Sequence, residues 1–432
     1  MYICIRRSFA VGGEPAIIGY ACHTIAVPGT DIRSCVLKNA TPQRLNALIS
    51  HNLTSLEHMI DYNIRSGIRL FRISSDLIPF GASAASQLDW EAAFSGRLSV
   101  IREKIALFGL RVSMHPGQYT VLNSADAAVV RRAVDDLNYH ARVLGALAPE
   151  NRHKIVLHIG GMYGDAEAAL QRFAAEYRNL GPEVRRRLVL ENDGRIYTIS
   201  DVLELSAKLG IPAVYDNLHN ALLTADPQKS DAFWIAQCAP TWQKADGMQK
   251  IHYSQQHPQK AVGAHSDTIG IDAFLDFYRG LPDEKPDIML EVKDKNLSAL
   301  KCILCTSPHS VAALESEWAK YKYAVLERSP ALYQNARTLL KDKQSNRSVA
   351  FYHLVERALE TAPATGHAVA AAEHIWGYFK REATPAEARR FLQKRRLCLR
   401  GELPPRRLKS ELYRLAVRYR QRYLLDSYYF SL

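Results

Sequence analysis

Apolar positions in the first 300 residues follow two patterns that alternate. Short, nearly continuous runs rich in β-branched residues come first: AIIGYA (16–21), IRLFRIS (68–74), LRVSM (110–114), KIVLHI (154–159), RLVLEN (187–192), PAVYD (212–216), MQKIHYS (248–254) and DIMLEV (287–292). Most are too short and too continuous for strands with one wet face, so they read as strands buried on both faces. Between them lie longer stretches with helical spacing and helical punctuation. Thr41 is placed to cap one helix, with Pro42 at its first position. In SDVLELSAKLGIP, Ser200 is expected to cap the start, Gly210 to end the helix in the left-handed region, and Pro212 to forbid continuation.

About eight strand–helix units in about 300 residues predict a parallel sheet, and a (β/α)8 TIM barrel is its natural closure. An open doubly wound sheet is the alternative, but no Gly-rich phosphate loop follows the first strand. After about residue 300 the strands stop. VAALESEWAKYKYAVLERS, SVAFYHLVERALETA, HAVAAAEHIWGYFKRE and RRLKSELYRLAVRYRQRYLLDSYY all carry apolar residues at helical spacing. KDKQSNRS (341–348) is polar and reads as a linker. The expected organisation is a catalytic barrel over 1–330 and a smaller all-α region over 331–432.

Composition sharpens this in two ways. No apolar run approaches the roughly 18 residues of a membrane span, and the N-terminus lacks a secretory pattern. The seven cysteines are scattered and odd in number, as expected of reduced thiols in a cytoplasmic protein. The isolated Cys302–Cys305 pair lacks partners for a redox or metal role. The net charge is +12, and residues 301–432 hold 24 Lys and Arg against 12 Asp and Glu, while 1–300 hold 32 of each. The whole excess therefore sits in the last third, and it suits a polyanion such as nucleic acid.

The chemistry lies where the strands end. The third runs into His115 and the fourth into His158; the fifth ends at Glu191 and the sixth at Asp216; the seventh carries His252 and the eighth meets Glu291. In a parallel barrel these ends converge on one face, where barrel enzymes keep their active sites. Three carboxylates and three imidazoles packed together are poorly compensated without cations. His219, His265 and Asp267 add ligands on nearby loops. Mixed imidazole and carboxylate donors without cysteine suit Mn²⁺ or Zn²⁺, with Fe²⁺ also compatible. The ligands are too many for one ion, so two or three are expected, with a carboxylate such as Glu191 bridging. Such a pair clamps the attacking and leaving oxygens of a phosphodiester, which points to phosphate-ester hydrolysis. A sugar isomerase on the same barrel is the competing reading.

The stretches SMHPGQYTVLNS, VLHIGGMYGDAEAALQRF, LVLENDGRIYT, VYDNLHN, QKIHYSQQ, AHSDTI and MLEVKDKNLSAL, with FRISSDLIPF, resemble the UV damage endonuclease family from about Gly19 to about Glu327. The resemblance implies a barrel related in fold to abasic-site endonucleases. It also implies that damaged double-stranded DNA is nicked immediately 5′ to UV photoproducts, with manganese the usual metal. It makes His115, His158, Glu191, Asp216, His219, His252, His265 and Glu291 the metal ligands, with Glu191, Lys250 and His252 as catalytic residues. Lys250 matches a lysine of the family that can be carboxylated; read from the residues alone, it is a phosphate contact. Gln118 and Tyr119 match the pair that probes the lesion, and Tyr20 a tyrosine near the lesion pocket.

Three positions depart from the family pattern: Ser83 and Asn220 replace histidines and Thr24 replaces an asparagine. None is an expected ligand, so they bear on substrate range. The C-terminal region resembles a helical bacterial domain of unknown function. Its KRRLCLR (394–400) and PPRRLK (404–409) are expected phosphate contacts. A monomer is expected.

Overall fold

The computed structural model describes residues 15–343 and 347–432. Among them, eight parallel strands form a nearly closed barrel: β1 (Ile18–Ala21), β2 (Leu70–Arg72), β3 (Arg111–Met114), β4 (Lys154–His158), β5 (Leu188–Glu191), β6 (Ala213–Val214), β7 (Lys250–Tyr253) and β8 (Asp287–Leu290). Each lies inside one of the eight runs expected. The ladder runs β6-β5-β4-β3-β2-β1-β8-β7. A single bridge between Asp216 and His252 joins its two ends, where the His252 N–H donates to the Tyr215 carbonyl at 2.9 Å.

Strand alternation sorts the barrel interior into layers. Lys154, Val156 and His158 share one face of β4, and Val156 and Val189 pair in register, as do His158 and Glu191. The middle layer is apolar: Val156, Val189 and Val214 pack as one cluster, and Ala21, Leu70 and Met289 as another. Gly19 allows β1 to approach β2, because a Cβ there would meet the Leu70 carbonyl oxygen at 1.9 Å. Each of the valine, leucine and methionine side chains contributes about 1.5–3 kcal/mol by leaving water.

The helices follow their capping signals with one correction. The helix Pro42–Ser66 starts at Thr41, whose hydroxyl accepts from the Arg44 N–H. The helix Ile199–Leu209 ends at Gly210 with φ 66°, but it is capped by Thr198 and not by Ser200. Asp201 decides this, because its carboxylate takes the Thr198 N–H while Thr198 takes that of Asp201, closing a capping box.

By internal contacts the chain forms two compact units. One comprises 15–23, Ile32–Ile269 and Phe274–Ala299; the other comprises Thr24–Asp31, Gly270–Ala273 and Leu300–Leu432. The boundary placed near 330 by the sequence thus falls inside the second unit. That unit is helical throughout its C-terminal part. Its core gathers Ile375, Phe379, Phe391, Leu412, Leu415 and Tyr429 among others. Two of its helices, Pro330–Leu339 and Pro385–Leu399, were not among the expected segments, although Ser329 and Thr384 cap them and proline opens both. Of the expected linker, 344–346 lie outside the described residues. Among the described residues no helix is long and apolar enough to cross a membrane.

Candidate active site

The ligand-type residues expected at the strand ends meet around one carboxylate. Glu191, the last residue of β5, is buried, and four histidines surround it. His252 Nδ1 lies 2.8 Å from its Oε1 and His115 Nε2 3.1 Å from its Oε2. His219 and His158 stand at 3.6 and 3.7 Å. His252 Nδ1 also lies 3.3 Å from Glu291, which stands 3.8 Å from His265. Asp216 is 3.8 Å from His219. All eight expected ligands are therefore linked in one cluster. Asp267 is not among them: it is exposed and pairs with His257 and Lys260.

Backbone contacts aim these rings. The two nitrogens of His115 face the Pro116 carbonyl at 3.1 Å and Glu191. His219 presents Nδ1 to the Asn192 carbonyl at 2.9 Å. Asn192 also clasps both backbone groups of Asp216, its Oδ1 accepting from Asp216 N–H at 2.8 Å and its Nδ2 donating to Asp216 O at 3.1 Å. Such partners fix ring orientation in metal sites. Ser75 Oγ donates to the His115 carbonyl at 2.9 Å and lies 2.9 Å from His140 Nε2, which steadies the start of the Pro116–Gly117 turn.

The electrostatics follow from this crowding. Burial pushes Glu191 up, but His252, then His158, and hydrogen bonds from His115 and His252 hold it well below the usual carboxylate range. Asp216 is pushed up to about 6 by burial, against the pull of His219, with Glu191 and Glu291 adding to the rise. His219 rises to about 9 because Asp216, Glu191 and Glu291 outweigh its burial, whereas burial lowers His115 to about 4. Glu291 is held down, against its burial, mainly by Arg72.

These residues fit divalent metal. A neutral imidazole has one N–H, yet both nitrogens of His115 face acceptors. Asp216 Oδ2 and His252 Nε2 are buried without a partner. Ligand atoms of His115, His158 and Glu191 all lie within 4.8 Å of one another, as do those of Glu191, Asp216 and His252. Glu191 belongs to both sets, the position of a bridging carboxylate. Buried polar atoms left open in this way are groups that a bound cation would satisfy.

The family model described as UV-endonuclease UvdE matches residues 18–315. The chain belongs to the UV-endonuclease UvdE family. A UV DNA damage endonuclease of Clostridium perfringens (strain 13 / Type A) is 36% identical over 347 residues, covering 79% of this chain and 83% of the relative. One from Bacillus mycoides (strain KBAB4) is 31% identical over 297 residues, covering 66% and 92%. The crystal structure of SacUVDE superposes with a TM-score of 0.63 at 34% identity, over 67% of this chain and 96% of that one. Residues 322–432 match a second family, a protein of unknown function (DUF1722).

Within this UvdE-family barrel, Gln118 and Tyr119 follow His115 on an exposed turn, and Tyr119 is 83% exposed. They line a groove of about 420 Å³ with Val121, Arg132, Gly160 and Tyr163. Tyr20 is placed differently from the expectation. It is fully buried in β1, its hydroxyl donating to Asn63 Oδ1 at 2.8 Å, so it does not reach the surface of the site. Lys250 is fully buried within β7, and its Nζ has no hydrogen-bond partner. Burial, then Arg111 and Arg72, depress its pKa well below the ordinary lysine value.

Two functional residues escaped the sequence reading. Arg72 closes β2 and pairs with Glu291, the carboxylate that also lies 3.3 Å from His252. The signal was available, since FRIS ends a strand with a cation where its neighbours end with ligands. Asn192 was hidden because an amide after a ligand looks like ordinary loop chemistry.

Proposed function

We propose that this chain is a divalent-metal-dependent endonuclease that hydrolyses the phosphodiester immediately 5′ to UV photoproducts in double-stranded DNA. The observation that carries the reading is Glu191, shared by two overlapping groups of ligand atoms at the mouth of a UvdE-family barrel. Two or three ions held by His115, His158, Glu191, Asp216, His219, His252, His265 and Glu291, manganese first, supply a water of lowered pKa and positive charge for the phosphate.

The chain's own groups prepare the site. Asn192 and Ser75 hold the ligands in place before DNA arrives, so little reorganisation is needed on binding. Arg72 holds Glu291 ionised and leaves the mouth short of full negative charge, which favours approach of a phosphodiester. Burial drives the Lys250 amine toward its neutral, nucleophilic form, and carboxylation would turn it into a further anionic ligand. Gln118 and Tyr119 enter the duplex where a photoproduct has weakened stacking, the aromatic filling the gap and the amide meeting base edges.

The test is a UV-irradiated, end-labelled duplex incubated with the protein and Mn²⁺. A nick mapping immediately 5′ to the photoproducts, absent from unirradiated duplex, is the expected result. Equal cutting of both duplexes, or none of either, contradicts the reading.

A further inference from the structure

The positive charge of the chain is concentrated more tightly than its halves reveal. Residues 380–432 contain 15 Lys and Arg and 5 Asp and Glu. Two helices of the second unit carry most of it, Pro385–Leu399 and Pro405–Arg418. Their inner faces supply Phe391, Cys398, Leu408, Leu412 and Leu415 to that unit's core. Their outer faces repeat one pattern: Arg389, Arg396 and the C-cap Arg400 on the first, Arg407, Arg414 and Arg418 on the second, all exposed. In each set the spacing is i, i+7, i+11. At 3.6 residues per turn this places three guanidinium groups within about 40° of one another, stepping about 10.5 and then 6 Å along the axis.

The nearby acids do not cancel these stripes. Glu387 and Glu411 are buried and committed inward. Glu387 accepts from the Thr384 N–H at 2.9 Å and the Tyr419 hydroxyl at 2.7 Å, and pairs with Arg418. Glu411 holds Arg390, Lys394 and, at 3.5 Å, Arg414. Arg389, Arg396 and Arg407 have no carboxylate partner among the described residues. The pairs at Arg400, Arg414 and Arg418 leave those side chains well over half exposed, and exposed pairs of this kind contribute little, so they yield to a better anion.

We infer that the twin arginine stripes of the C-terminal unit bind the phosphate backbone of double-stranded nucleic acid without reading sequence. A periodic row of arginines fits a linear polyanion, because the planar fork takes phosphate oxygens two at a time. Contacts of this kind add affinity and salt dependence but no base recognition. That the duplex is DNA rests on the endonuclease reading of the barrel; the existence of the stripes does not.

The experiment uses the full chain and an undamaged duplex, in EDTA so that nothing is cut, and reads log affinity against log salt. Arg389→Gln/Arg396→Gln/Arg407→Gln removes three cations that hold no internal ion pair. The slope is expected to flatten by about 2.7, or about 0.9 per lost contact. The triple Lys variant keeps the charge and should keep the wild-type slope. On photoproduct DNA with Mn²⁺, the Gln variant should raise KM and leave kcat unchanged. Equal slopes for wild type and the Gln variant overturn the inference and leave the stripes to an acidic protein partner or to solubility. A Lys variant that falls with the Gln variant also overturns it. Failure of the barrel reading shows separately, as absence of damage-dependent nicking by the wild type.

Discussion

Both ends of the barrel bury charged groups, and they treat them in opposite ways. At the base, Arg111 donates to Asp287 at 2.6 Å, to the Asp246 carbonyl at 3.0 Å and to the Arg152 carbonyl at 3.1 Å. Lys154 is closed by Asp246 and, at 2.8 Å, by the Arg186 carbonyl. Arg111 and Lys154 there find their partners within the fold. At the mouth, beyond the valine layer, four histidines compete for one carboxylate while Asp216 Oδ2 and His252 Nε2 find nothing. Burial of charge alone is thus no sign of function. The sign is a buried set that its own protein leaves incomplete.

That contrast is open to attack by mutation. The largest effect belongs to Glu191→Ala, which removes the carboxylate common to both ligand groups. Nicking should be abolished, with far-ultraviolet circular dichroism unchanged; retained activity would dissolve the mouth as a catalytic centre. At the base, Arg111→Ala should do the reverse. It strands a buried Asp287 and should cost about 3–5 kcal/mol in chemical denaturation, while the folded fraction keeps its manganese affinity.

Asn192→Ala comes next. It removes the clasp on Asp216, and orienting partners of this kind typically carry about 10–100-fold in metal affinity, to be read by competition with a chelating dye. Wild-type affinity in this variant would show that the clasp serves the strand and not the ligand. The smallest effect belongs to Gln118→Ala/Tyr119→Ala. Both side chains are exposed, so stability should stay within about 0.5 kcal/mol. Preference for irradiated over intact duplex should drop by about tenfold, the scale of one lost base–aromatic stack. An unchanged preference would remove them from lesion recognition.

How far the sequence could be read depended on the kind of constraint. All eight strands were legible because a strand buried on both faces needs a continuous apolar run, and few other segments show one. The mouth was legible because parallel strands bring their ends together, so His115, His158 and Glu191 converge once the fold is granted. Asp267 failed because a loop residue carries no such guarantee. Tyr20 failed because a strand position says nothing about whether its hydroxyl meets solvent or, as here, Asn63. Thr198 displaced Ser200 through a reciprocal contact with Asp201 that a single-residue rule misses. The arginine stripes needed the helix boundaries before their seven- and four-residue spacing acquired a direction.

The central claim is that the mouth is a set of ligands awaiting ions, and counting ions tests it most directly. The protein is saturated with Mn²⁺, freed of unbound metal and analysed for metal per chain, beside Glu191→Ala. The account predicts two or three ions per wild-type chain and a loss of at least one in the variant. Fewer than one ion per wild-type chain, or the same number in both proteins, would contradict it.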